Sequence, residues 1–208
     1  MKKYLILLIV VGVCWLEFIH HKQMYILRGE ELVTDAYYGD LIAVKNDVEK
    51  GAPLRYRLTF DDEERQYKGQ TFNVLHAAAS GGNEDIILFL LGKGLLINSR
   101  TPEGWTPLYV AARDGQAEAA KLLIFKGARL NAQSNLGATA LMMAVTQPFE
   151  TEKARLNLLE YMLRRGADVN LTDKYGHTAL YYAQQQGNEN VVKLLEPYAD
   201  KRPGSSGI

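Results

Sequence analysis

Residues Gly104–Asn131 read GWTPLYVAARDGQAEAAKLLIFKGARLN. This stretch spells one complete helix–turn–helix unit with its own punctuation. Thr106-Pro107 opens a first helix, because a Thr hydroxyl caps free backbone N–H groups and Pro is tolerated at the first helical position. Leu108, Ala111 and Ala112 form a narrow face of small apolar residues, and Gly115 breaks the helix. Ala119, Ala120, Leu122, Leu123 and Phe125 give a second helix a wider stripe, and Gly127 after Lys126 is placed as a left-handed C-terminal cap. Two half-buried helices with no partner between them must stack on copies of themselves, so the rest of the chain should hold such copies.

It does. Leu75, Leu108 and Leu141 are spaced by 33 and 33 residues, and Leu180 lies 39 further on. The pairs Gly39/Gly51, Gly82/Gly94 and Gly115/Gly127 are each 12 apart. The openings TFNVLHAAASGG (Thr71–Gly82), GWTPLYVAARDG, GATALMMAVTQ (Gly137–Gln147) and GHTALYYAQQQG (Gly176–Gly187) share one pattern. So do the closings LLGKGLLIN, LIFKGARLN and MLRRGADVN, which end at Asn98, Asn131 and Asn170. This pattern resembles the ankyrin repeat, whose units open G-x-T-P-L-H-x-A-A-x-x-G and close L-L-x-x-G-A-x-x-N.

The resemblance implies an all-α solenoid of about five helix–turn–helix repeats joined by short β-hairpin loops. A degenerate first copy, Leu32–Ala52, completes the five. The chain divides into residues 1–22, a signal anchor or signal peptide; 23–29, a spacer; 30–198, the repeat domain; and 199–208, a tail. The repeats run about 30–53, 69–101, 102–134, 135–173 and 174–198, with an inserted segment at 54–68. In that insertion Tyr56, Leu58 and Phe60 alternate with Arg55, Arg57 and Thr59 before the acidic turn Asp61–Glu64. The alternation predicts an elongated hairpin finger. The acidic turn lacks the alternating ligands and glycine of a calcium loop, so it reads as a solvated tip. In the fourth unit QPFETEKARLN delays the second helix, which fits either a lengthened turn or a longer helix starting near Thr151.

Lys and Arg total 24, as do Asp and Glu, so no whole-molecule field points to nucleic acid or an anionic membrane. The single cysteine, Cys14, leaves the repeat domain without a disulfide. Cys14 lies in YLILLIVVGVCWL, thirteen uncharged residues after Met1-Lys2-Lys3. A basic start with a short apolar core has the layout of an export signal. No small-residue cleavage site follows Leu16, so an uncleaved anchor fits better than a cleaved peptide. Val13 immediately before Cys14 departs from a lipobox, which argues against a lipoprotein. Lys2 and Lys3 place the N-terminus in the cytoplasm and the repeats outside, in the periplasm of a bacterium.

No nucleophile–base–acid set, phosphate loop or Cys/His cluster stands out, so the chain is read as a non-enzyme with no cofactor and no metal. The resemblance makes His76 a structural histidine. It also implies recognition of another protein by a chain that is monomeric when unbound. Contacts in that family come from hairpin tips and first helices, which here are Pro102, Glu103, Trp105, Arg113 and Asp114, then Asn135, Leu136 and Ala138, then Lys174, Tyr175 and His177. Tyr109, Tyr181 and Tyr182 extend these as an aromatic strip, and Arg57, Asp61 and Glu63 represent the finger. Trp105 reads either as an exposed hot spot or as framework packed on the next hairpin. Small exported ankyrin proteins include immunity proteins that neutralise envelope toxins, so an inhibitor of a periplasmic toxin or effector is one expectation. A non-inhibitory scaffold or chaperone-like factor for an envelope enzyme is the other.

Overall fold

The computed structural model describes residues 22–59 and 71–199. It contains five stacked helix pairs. Helix α1 (residues 22–38) pairs with α2 (Leu41–Glu49), α3 (Val74–Ser80) with α4 (Glu84–Gly92), and α5 (Pro107–Arg113) with α6 (Ala117–Phe125). Helix α7 (Ala140–Thr146) pairs with α8 (Glu152–Arg164), and α9 (Ala179–Gln185) with α10 (Glu189–Leu195). The stack has two layers. Helices α3, α5, α7 and α9 pack in sequence as an inner row, and α2, α4, α6, α8 and α10 as an outer one.

Local chemistry sets where the inner helices begin. Thr106, Thr139 and Thr178 have extended backbone, and their hydroxyls accept the N–H groups of Tyr109, Met142 and Tyr181, each at 3.2 Å. Asn73 does the same for α3, its Oδ1 accepting from Leu75 at 3.0 Å and His76 at 3.1 Å. Small residues then let the layers close. All seven residues of α3 are buried, Ala77, Ala78 and Ala79 among them, whereas the terminal α9 buries only Ala179 and Ala183. A central repeat has neighbours on both sides and the last has one.

The closing asparagines Asn98 and Asn131 bond forward into the next repeat. Asn98 Oδ1 accepts the Arg129 N–H at 2.8 Å, and Asn131 Oδ1 accepts the Asp168 N–H at 2.9 Å while its amide donates to the Gly166 carbonyl at 3.1 Å. At Asn131 the amide serves as donor and acceptor at once, which a carboxylate or an ammonium cannot do.

The fourth unit takes the second of its two readings, a longer second helix starting near Thr151. A turn occupies 147–151, and α8 starts at Glu152 with Thr151 capping the Ala154 N–H at 3.1 Å. Helix α8 has 13 residues where α4 and α6 have nine. Arg155 fastens the turn by donating to the Gln147 carbonyl at 2.9 Å and lying 5.7 Å from the Phe149 ring.

The segments flanking residues 60–70 form a two-stranded antiparallel ladder, where the stem of the expected finger would stand. Strand β1 (Arg57–Thr59) pairs with β2 (Thr71–Asn73), placing Leu58 opposite Phe72. The expected tip, with Asp61 and Glu63, lies outside the described residues, as do the apolar Tyr4–Leu16 segment and Cys14. Among the described residues no helix is long and apolar enough to cross a membrane.

Residues 23–29, expected to be a spacer, are helical and continuous with the first repeat. The cause is tertiary. The Tyr56 ring beside the finger stem lies where a Gly29 side chain would stand, 2.3 Å from an added Cβ, and meets Tyr25 edge-on at 6.5 Å. Arg28 donates to the Lys50 carbonyl at 3.0 Å. A stretch without a repeat motif thus finds a face to fold against.

The same end of the stack holds an unfavourable pair. Asp35 on α1 is pushed up to about 6, first by burial and then by the charge and hydrogen bond of Asp47 on α2, with Asp40 and Glu31 adding to it. Asp47 Oδ2 is buried and has no donor among the described residues unless Asp35 carries a proton. An acid whose folded pKa is raised stabilises the fold only while protonated, so this contribution is lost as pH rises through about 6. Asp35→Asn supplies a permanent donor. It should raise stability at pH 7 by on the order of 1 kcal/mol after allowing for solvent screening. The gain should vanish as pH falls toward the ordinary carboxyl range. Urea midpoints at neutral and acid pH check this, and an unchanged neutral midpoint would refute it.

Candidate protein-binding surface

The last three loops between repeats form one continuous edge. Each closes on itself in the same way: the N–H of Thr101, Ser134 and Asp173 donates to the carbonyl of Trp105, Ala138 and His177, at 2.9, 2.8 and 3.0 Å. Adjacent tips are then joined through their backbones, Asn135 N–H to the Glu103 carbonyl and Lys174 N–H to the Leu136 carbonyl, both at 2.9 Å. The approach is close enough that a Cβ on Gly137, which has φ +77°, would stand 2.9 Å from Asp173 Cα. Side chains carried on this edge are therefore held at fixed spacing.

The structure sorts the expected contact residues into two groups. Toward the centre, Trp105 is half-buried and stacks on Tyr109 at 5.5 Å with planes 10° apart, and the Arg113 guanidinium lies 4.7 Å from its ring. Trp105 thus packs on its own helix while keeping part of its ring at the surface. Its carbonyl also meets His76 Nε2 at 3.1 Å. Tyr109 is only 7% exposed, so it does not belong to a surface strip. Arg113 grips Asp114 with both ends of its fork, at 2.7 and 3.0 Å, and Asp114 also accepts from the Ser80 hydroxyl at 2.6 Å. Their side chains are 13% and 5% exposed, so the two charges satisfy each other and present little to a partner. Glu103 is half-buried.

Toward the C-terminal end the side chains are open. Leu136 is 53% exposed, Tyr175 67% and Tyr181 37%. His177 stacks on Tyr181 at 4.0 Å and on Tyr175 at 5.9 Å, and the Lys174 ammonium lies 4.8 Å from the Tyr175 ring. Tyr182 is tied down instead, its hydroxyl donating to Asp173 Oδ2 at 2.5 Å. That bond pushes the Tyr182 phenol up to about 12. Burial acts to raise Asp173, but the bonds from Tyr182 and the His177 and Tyr175 N–H groups outweigh it and hold the carboxyl low. The N-cap threonines align Trp105, Ala138 and His177, so the row drops from an indole to a methyl and rises again to an imidazole. Arg57 on the finger stem is exposed, with one guanidinium nitrogen 3.4 Å from the Arg100 carbonyl.

His76 has no chemistry to offer at this surface. It is 1% exposed, its Nδ1 lies 2.7 Å from Asn73 Oδ1, and burial lowers its pKa to about 4 against the pull of the Trp105 and Ser99 backbone. The unfolded chain takes up a proton near pH 6.5 that the folded ring refuses. The neutral ring's contribution is therefore complete above that pH. It is lost as pH falls from 6.5 toward 4, by up to about 3 kcal/mol. Asp35 has the opposite sign in part of this window. Denaturant titrations in an Asp35→Asn background should accordingly show stability falling with acid, and adding His76→Gln should flatten that slope. A slope indifferent to His76 would contradict the assignment.

The model for ankyrin repeats (three copies) matches residues 41–134 and 127–204. The chain is also 39% identical over 44 residues to ankyrin repeat protein FPV022 of fowlpox virus (strain NVSL), a match that covers 21% of this chain and 8% of the viral protein. Such repeats generally serve as non-enzymatic modules that bind other proteins. The stacked pairs, the capping threonines and a family match over most of its length agree, and the chain belongs to the ankyrin-repeat family.

Proposed function

We propose that this protein binds another protein through the edge formed by its fourth and fifth repeats, and that it does so in the bacterial envelope as an inhibitor of the immunity type. The observation that carries the binding reading is the exposed pair Leu136 and Tyr175, mounted on loops whose backbones are bonded to one another, with Tyr181 exposed on α9. Large apolar side chains on a preorganised support lose little entropy on binding and are favoured as anchors. The envelope setting rests on the apolar Tyr4–Leu16 stretch after two lysines, which reads as an export signal or anchor. Inhibition follows from sterics, since a rigid edge laid across a partner covers the partner's site.

The test is affinity capture of the tagged full-length chain from its host's membranes, with mass spectrometry of what is retained and an activity assay of the captured protein. One stoichiometric partner, silenced in the complex, supports the reading. A partner that stays fully active replaces inhibition with scaffolding. An empty capture rejects stable binding altogether.

A further inference from the structure

At the base of the finger, away from the Leu136–Tyr175 edge, the loop leading into β1 meets the end of α4 and the turn after it around a cavity of about 360 Å³. Its walls include Arg55, Arg57, Lys93, Leu54, Leu96 and Ser99, and no carboxylate is among the lining residues. Among the described residues none of the three cations forms an ion pair. Arg57 meets the Arg100 carbonyl at 3.4 Å, and Lys93 lies 5.2 Å from the Phe89 ring. In a chain whose charges cancel at 24 against 24, three cations around one cavity whose lining holds no carboxylate are a local excess. All three are exposed, so their charges are hydrated and ready to exchange water for an anion.

The floor adds shape to charge. Asn73 donates to the Ser99 hydroxyl at 3.2 Å, which fixes the polar side, while Leu54 is half-buried and Leu96 is 75% exposed on the apolar side. A cavity near the lower limit of small-molecule sites accepts one or two side chains but not a nucleic-acid helix. Two guanidinium forks match carboxylates in paired hydrogen bonds, and the leucines favour an aliphatic or aromatic neighbour.

We infer that this basic cleft receives an acidic segment of the partner protein, a run of Asp or Glu interleaved with large apolar residues, as a second anchor point beside the fourth- and fifth-repeat edge. The inference rests on the protein-binding reading and supplies the chemistry of the partner. Electrostatic pairing of this kind accelerates encounter and weakens with salt.

The experiment is fluorescence anisotropy of the full-length protein with a labelled peptide of alternating Glu and Leu, beside the same peptide with Lys for Glu. The acidic peptide should bind, and raising salt to about 0.5 M should weaken it about tenfold. The triple variant R55A/R57A/K93A should weaken it at least about tenfold with unchanged circular dichroism, because all three side chains are exposed. Equal binding by the triple variant, equal binding of the Lys peptide, or binding only to phosphatidylserine vesicles would overturn the inference. Affinity capture separates this from the wider reading. A partner retained by the triple variant but lost on changing Leu136 and Tyr175 removes the cleft and leaves the edge standing.

Discussion

Changing Leu136 and Tyr175 together to alanine should abolish capture of the partner while leaving the fold intact. The two side chains occupy the same position on successive loops and are 53% and 67% exposed, so little folding energy rests on them. Truncating an interface anchor costs about 2 kcal/mol or more, and two such losses weaken binding by roughly a thousandfold. The loops themselves stay in place, because the bonds from Asn135 to Glu103 and from Lys174 to Leu136 are between backbones. Affinity capture or calorimetry against the purified partner would measure the loss, with thermal unfolding as control. Trp105→Ala is a poorer probe. Trp105 packs on Tyr109 and Arg113, so its truncation removes folding contacts as well as surface. Full affinity in the Leu136/Tyr175 variant would move the interface elsewhere on the molecule.

Gly81→Ala should be among the most damaging single changes in the chain, at about 3 kcal/mol or more. Gly81 has an ordinary φ of −77°, so backbone strain is not the issue. The problem is space, since its Cβ would stand 2.0 Å from the Tyr37 carbonyl oxygen. That carbonyl accepts the Asn83 amide at 2.9 Å, and the same amide donates to the Ala36 carbonyl at 2.8 Å. One methyl therefore pushes apart the junction between the first two repeats. Stability in stacked repeats is a sum of units and nearest-neighbour interfaces, so damage should stay local. Hydrogen exchange should show lost protection in α1 and α2, with α5 to α8 retaining theirs. Gly127→Ala is the control: it meets open space and pays only for φ +91°, about 1 kcal/mol. Equal effects of the two changes would show that crowding at Gly81 is not what matters.

Much of the framework could be read from spacing alone. The capping of α5 by Thr106, the turn at Gly115 and the cap at Gly127 are local events within a few residues, and local hydrogen bonding and steric rules decide them. The start of α8 after Thr151 was one of two readings, and the capping hydroxyl settles it. Strand β1 was legible because the alternation around Leu58 has the period of a strand.

The candidate surface was legible only in part. That Trp105, Leu136, Tyr175 and His177 lie on loops or helix entries followed from the repeat register. Which of them faces solvent did not. Tyr109 and Tyr181 share one repeat position, yet one is 7% exposed and the other 37%, because Tyr109 has a repeat on each side and Tyr181 belongs to the last. Arg113 and Asp114 looked like exposed charges until Ser80, 34 residues away, supplied a third member to their pair. Residues 23–29 looked like a spacer until Tyr56 and Lys50 gave them something to pack on. By itself the sequence determined the repeat, its helix ends and its phase, since these depend on contacts among near neighbours along the chain. Exposure, pairing and the place of the open surface were decided only by the tertiary structure, because each depends on the side chain that the neighbouring repeat sets opposite.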